Sequence, residues 1–172
     1  GRRALMVIVA IIVAVIIVFV LKAAVVIVPN NQAYVTERLG RYCDTLHPGF
    51  HVVMPLLDKI RFRFPMTVQS QELSDVFETR DRQRASVASA YRFRVLDPQR
   101  ASYGSVDYAS FLRELVRSSQ KRYVAGQTWD GLRQDSRSLE TEVQRSVDEA
   151  SDAVGVKLLE YEVKDLQSVG VV

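Results

Sequence analysis

Ala4 to Leu21 is an unbroken apolar run, ALMVIVAIIVAVIIVFVL, with Arg2 and Arg3 before it and Lys22 after it. The run resumes through Ala23–Val28 and stops at Pro29. A helix needs roughly 20 apolar residues to cross about 30 Å of hydrocarbon, and 4–28 supplies them if Lys22 snorkels to the headgroups. β-branched residues are no objection there, because only an internally bonded backbone crosses lipid. A cleaved signal peptide would have a shorter core and a better cleavage site than Ala23-Ala24. A buried core helix would show a polar face. The pattern predicts a membrane anchor over 1–28, with Leu5, Ile8, Ile12, Ile16 and Phe19 among its lipid contacts.

Beyond Pro29 the pattern shortens to alternating runs. Gln32–Arg38 sets Ala33 and Val35 against Tyr34 and Thr36 and ends at Gly40, a strand and a turn. Phe50–Met54 reads as a short strand between Pro48-Gly49 and Pro55. Lys59–Phe64 alternates, with Ile60, Phe62 and Phe64 inward and Lys59, Arg61 and Arg63 outward. Gln69–Phe77 is extended, and Gln83–Val95 is a long half-buried strand closed by Asp97-Pro98.

Helical periodicity follows. Asp107 is an N-cap for Tyr108–Val124, whose stripe is Phe111, Leu112, Leu115, Val116, Ser119 and Tyr123. Thr128-Trp129-Asp130 reads as a capped turn. A second helix opens at Ser136 or Ser138 and buries Leu139, Val143, Val147, Ala150 and Val154 before Gly155 caps it. A last strand, Val156–Leu166, alternates Leu159, Tyr161 and Val163 against Glu160, Glu162 and Lys164. Strands, then helices, then a closing strand predict an α+β fold behind the anchor, with antiparallel strands and helices packed on a sheet. The expected division is an anchor (1–28), a strand-rich part (29–96), a helix-rich part (97–167) and the start of a C-terminal extension (168–172). Gly1 is not an initiator Met, so residues are expected upstream.

Charge refines this picture. The formal net charge is only +3 over 172 residues, but bases dominate from Arg38 to Arg100 and acids from Asp130 to Asp165. A basic stretch beside an anchor suits anionic headgroups, at about 1 kcal/mol per well-placed Lys or Arg; a normally solvated surface has the same composition. Leu46–Leu57 (LHPGFHVVMPLL) carries no full charge, so Phe50, Val52, Val53 and Met54 can dip into the bilayer interface while Lys59 and Arg61 meet headgroups. The same residues would equally serve a core strand. The opposed charges of the two halves also suit a head-to-tail contact between copies, with Arg80, Arg82 and Arg84 on one and Glu140, Asp148 and Asp152 on the next.

Catalytic signals are sparse. His47 and His51, the two histidines, have a helical metal spacing that Pro48-Gly49 interrupts. Cys43, the single cysteine, sits in no sequence context that marks a reactive thiol and reads as an ordinary one. There is no G-x-S-x-G elbow and no Gly-rich phosphate loop. Arg61–Phe64 interleaves bases and aromatics as single-strand nucleic-acid binders do, but in a strand that alternation only separates a wet face from a buried one. No catalytic residue, metal, cofactor or nucleic acid is expected; a tethered hydrolase using Cys43 or a serine with His47 or His51 is the competing class, and a monomeric tethered binding domain is a third reading.

Several motifs, in order, resemble a known family: E-R-x-G-R-Y at Glu37–Tyr42, L-x-P-G at Leu46–Gly49, P-L-L-D-K-I at Pro55–Ile60, D-P-x-x-A-S-Y-G at Asp97–Gly104, and Y-E-V-K-D-L near the end. The chain resembles the stomatin–prohibitin–flotillin–HflK/HflC (SPFH, band 7) superfamily, and within it the stomatin-like paraslipin and QmcA branch. Residues 68–88 depart from that pattern, being richer in Arg and Ser. The resemblance implies a membrane-attached homo-oligomeric scaffold, not an enzyme. It implies rings or cages built with a following coiled coil, a link to membrane microdomains, and membrane lipids and a membrane protease as partners. Arg2 and Arg3 favour a cytoplasmic N-terminus while Lys22, Arg38 and Arg41 favour the reverse; the resemblance tips the expectation to a cytoplasmic domain at the cell membrane.

Overall fold

The computed structural model describes residues 1–103 and 107–171. Gly104 of the D-P-x-x-A-S-Y-G motif and Val172 of the expected extension lie outside them. The chain divides into two compact units, Gly1–Pro65 and Met66–Val172.

The first unit opens with helix α1, Arg2–Ala24. It is followed by β1 (Val25–Val28), β2 (Gln32–Arg38), β3 (Arg41–Leu46), β4 (Gly49–Val52) and β5 (Asp58–Pro65). The anchor helix thus ends four residues before the predicted boundary at Val28. The reason is a partner: β1 pairs antiparallel with β4, Val25 opposite Val52 and Val28 opposite Gly49. The other three strands form a sheet in the order β3-β2-β5. Ala33, Tyr34, Val35 and Thr36 are all buried, so β2 is covered on both faces.

The expected phase of β5 breaks at one residue. Val35 pairs with Phe62 but Thr36 pairs with Ile60, which leaves Arg61 unopposed as a bulge. Ile60 therefore shares the face of Tyr34, not that of Phe62 and Phe64. There it packs with Val26 and Val53 on the buried cluster Val28, Tyr34 and Leu46. The Arg63 guanidinium, on that same face, lies over the Tyr34 ring at 5.2 Å from its centroid.

The second unit is a three-stranded antiparallel sheet, β6 (Gln69–Glu78), β7 (Gln83–Val95) and β8 (Val156–Val171), in that order. Between β7 and β8 come α2 (Pro98–Tyr103), α3 (Tyr108–Gly126), α4 (Trp129–Gln134) and α5 (Ser136–Ser151). Phe77, Val87, Tyr91 and Phe93 of the sheet are buried, as are Leu112, Val116 and Val124 of α3 and Leu139, Val143 and Val147 of α5. The caps are those of the sequence pattern or one step from it: Asp107 accepts from Ser110 N–H at 3.0 Å, Thr128 from Gly131 N–H at 3.3 Å, and Asp135 from Ser138 N–H at 3.1 Å. β7 pairs with β8 along its whole length. That pairing ties it to the helices between, so the compact units part at 65/66, not at the expected 96/97.

A bulge also shifts β8. Arg92 pairs with Glu160 and Phe93 with Leu158, leaving Leu159 over. Leu158 and Tyr161 are buried and Leu159 is exposed, against the expected inward set of Leu159, Tyr161 and Val163. Gly155 turns the chain into β8 at φ +69°, and a Cβ there would meet the Asp97 carbonyl oxygen at 2.5 Å.

Candidate membrane-facing surface

Leu5, Ile8, Ile12, Ile16 and Phe19 are exposed on α1, as are the other large apolar residues between them. Twenty-three residues rise about 35 Å at about 1.5 Å each, enough to cross a hydrocarbon core. Apolar exposure on this scale has no stable place in water.

The β1–β4 ribbon continues that surface. Val53 N–H donates to the Ala24 carbonyl at 2.8 Å, so the ribbon is fastened to the last residue of α1. Cross-strand partners share a face and neighbours alternate. Val25 with Val52 and Ile27 with Phe50 form one face, while Val26 and Val28 lie on the other. The first face is solvent-exposed, Ile27 and Val52 at 71% and Phe50 at 66%; the second enters the core cluster with Val53. Of the residues singled out from sequence, Phe50, Met54, Lys59 and Arg61 are exposed, whereas Val53 faces inward. The pairing of β1 is what adds Val25 and Ile27 to the outer face; the sequence offered only their apolarity, which reads as more anchor.

The turn after β4 extends the exposed apolar rim through Met54, Leu56 and Leu57. Asp58 holds it. Its carboxylate accepts from Arg38 Nε at 2.6 Å and Nη2 at 3.0 Å, and from Met54 N–H at 2.9 Å. The Arg38 bonds, then the Met54 amide, keep the Asp58 carboxyl below the usual aspartate range. Lys59 and Arg61 follow directly and are exposed.

Elsewhere the charges have mostly local duties. Arg80, Arg82 and Arg84 are exposed at the β6–β7 turn, which Arg80 N–H fastens to the Gln127 carbonyl at 2.8 Å. Glu140 accepts from Val163 N–H at 2.8 Å, and Asp148 pairs with Lys157 at 2.7 Å. Those two acids are engaged within the chain. Asp152 is exposed, and its carbonyl accepts from Arg100 at 3.4 Å.

Chemistry-bearing groups do not converge. Among the described residues no group of three or more His, Cys, Asp or Glu could hold a metal ion. His51 Nε2 lies 2.7 Å from the His47 carbonyl, a contact that makes this nitrogen the protonated one. Cys43 is free and exposed on β3.

Comparison with known proteins agrees with this architecture. The model of the SPFH domain / Band 7 family matches residues 26–168. Human stomatin-like protein 2, mitochondrial, is 29% identical over 145 residues, 83% of this chain and 40% of its own length. Stomatin-like protein stl-1 of Caenorhabditis elegans is 27% identical over 81% of this chain and 44% of its own. An uncharacterized protein of Archaeoglobus fulgidus is 26% identical over 83% of this chain and 57% of its own. The chain therefore spans about half the length of these relatives or less. With a family match over most of its residues on an α+β fold behind an apolar helix, the chain belongs to the SPFH domain / Band 7 family.

Proposed function

We propose that the protein is a membrane-anchored scaffold subunit in which α1 crosses the bilayer and the β1–β4 ribbon lies in the bilayer interface. One observation carries this reading: the exposed pairs Val25–Val52 and Ile27–Phe50 begin where α1 ends and are fastened to Ala24. Four residues of strand extend about 13 Å, longer than the roughly 5–8 Å of headgroup layer on each side of the hydrocarbon, so the ribbon fits there lying along the interface. Burying a large apolar side chain fully contributes about 1.5–3 kcal/mol, so even partial burial of these four favours a seated ribbon. Lys59 and Arg61 add headgroup attraction. Copies assemble into rings or cages that organise membrane patches and regulate membrane proteases or quality control, with the folded units on the cytoplasmic side of the cell membrane. Family membership supports that part of the reading.

The competing hydrolase class has less to rest on. Among the described residues neither His47 nor His51 has a serine, threonine or cysteine hydrogen-bond partner, and His51 is turned to a backbone carbonyl. Electron microscopy of the full-length protein in mild detergent tests the assembly: rings support it, and uniform particles of monomer mass defeat it. Val13→Arg tests the anchor, since a central charge costs about 2.5–3.5 kcal/mol on insertion; protein that stays in the membrane after carbonate washing contradicts it.

A further inference from the structure

The two edges of the second unit's sheet are treated differently. On β8, α5 covers backbone groups with side chains: Glu140 accepts from Val163 N–H at 2.8 Å and Gln144 donates to the Leu158 carbonyl at 3.4 Å. Three register shifts also distort β8 against β7. Both are ordinary ways of blunting an edge. β6 has neither. Its ten residues pair with β7 without a shift and contain no proline and no lysine.

The register says which groups are open. Thr79 N–H donates to the Gln83 carbonyl at 2.9 Å, so Phe77, Asp75, Leu73, Gln71 and Gln69, at alternate positions, turn their backbone groups toward β7. Ser70, Glu72, Ser74, Val76 and Glu78 turn theirs outward, and all five are exposed. The next in that row, Arg80, donates to the Gln127 carbonyl. Among the described residues no hydrogen bond closes the five before it.

A groove of about 800 Å³ runs beside this edge, walled by Val76 and Glu78 on one side and by Glu114, Arg117 and Lys121 of α3 on the other. Arg117 is already 3.3 Å from Asp75. Glu72 and Glu78 are the remaining charges of the strand itself; Glu78 stands opposite Arg84 of β7, and Lys164 of β8, near Glu72, is already bonded to Glu162. Two copies of β6 laid edge to edge would set Glu72, Asp75 and Glu78 beside their like, with no base in either strand.

We propose that β6 is a docking edge that takes an extended segment of a partner protein as an added strand, with Lys or Arg at alternate positions facing Glu72 and Glu78. Backbone bonds to the outward row give affinity and the acids give selectivity, as in strand addition generally. The site deepens the scaffold reading by supplying a surface for a client, and its test does not involve the bilayer.

The test uses the full chain in a nonionic detergent and fluorescent ten-residue peptides of alternating Lys-Val or Glu-Val, followed by anisotropy. Lys-Val should bind at least about tenfold more tightly than Glu-Val, about 1.4 kcal/mol. Ser74→Pro removes an outward N–H without touching the β7 ladder and should weaken Lys-Val binding by about tenfold or more. Glu72→Lys with Glu78→Lys should invert the preference, and it reads the charge requirement by itself should the proline variant lose its circular dichroism. Absent Lys-Val binding, equal binding of both peptides, or binding unchanged in Ser74→Pro with an intact fold overturns the proposal. So does an assembly whose mass falls in Ser74→Pro, because a second copy then fills the edge.

Discussion

Ile27 and Phe50 stand opposite each other across the β1–β4 ribbon, and both side chains point to solvent. Two residues along the same strand, Val52 is as exposed as Ile27, while its neighbour Val53 packs against Val28, Tyr34 and Leu46. The ribbon has an outer face that is wholly apolar and a core face one residue out of phase with it. An aspartate should therefore act oppositely at adjacent positions. Phe50→Asp is expected to leave the thermal midpoint and circular dichroism in detergent nearly unchanged, within about 0.5 kcal/mol as for surface substitutions. Val53→Asp sets a charge against the buried cluster of Val28, Tyr34 and Leu46 and should cost about 1–3 kcal/mol. Equal loss of stability at both positions would show that the ribbon has no outer face.

Acid should loosen the rim that carries Leu56 and Leu57. The Asp58 carboxyl is held below its ordinary value of 3.8 by Arg38 and Met54. A lowered carboxylate stabilises the fold above the unfolded pKa and ceases to do so as pH falls through the lower, folded value. Asp58→Asn should thus lower the thermal midpoint at about pH 7, and the gap from the parent should close only below the ordinary aspartate range. A gap that persists undiminished at about pH 2 would show that the carboxylate's charge is not what holds the turn.

Gly155 is a backbone requirement. At φ +69°, with the Asp97 carbonyl 2.5 Å from where a Cβ would stand, and with Leu96 and Asp97 N–H both donating to its own carbonyl, the position has no room to adjust. Gly155→Ala should destabilise by about 1–3 kcal/mol, read as a shift in denaturant midpoint. A neutral result would mean that the α5–β8 corner yields more easily than these bonds suggest.

Much of this architecture could be read from the chain. Strands over Gln32–Arg38 and Gln83–Val95 have the predicted bounds because each alternates against a surrounding that is wet or buried on schedule. The rest was hidden for particular reasons. Val25–Val28 is apolar at every position, so nothing local separates a strand from more membrane helix; its partner at Gly49–Val52 decides. The phases of β5 and β8 each fail at one bulged residue, Arg61 and Leu159, and a bulge is set by pairing. Gln120 was missing from the α3 stripe because a glutamine is buried only if neighbours satisfy it, here Ser89 and Tyr161 at 2.8 and 2.7 Å. Val53 and Val52 are chemically identical, and only the register tells the inner from the outer.

Charge pairing between copies is open to a cleaner test than sequence alone allowed. Glu140 and Asp148 have partners in their own chain, so reversing them perturbs the fold as well as any contact. Glu140→Ala should cost about 1.5–3 kcal/mol, the scale of a hydrogen bond to a charged group. Reversal of Arg80, Arg82 and Arg84 to Glu should reduce ring yield, and Asp152→Lys should partly restore it. Assembly that is indifferent to the arginines removes them from the interface.

The seating of the ribbon in the bilayer can be measured at one residue. Trp129 is the only tryptophan, so Phe50→Trp in a Trp129→Phe background gives a single reporter on the outer face. In vesicles containing lipids brominated near the headgroup end of the chains, its fluorescence should be strongly quenched, and aqueous acrylamide should reach it poorly. Full quenching by acrylamide with none from the brominated lipid would place Phe50 in water and contradict the account.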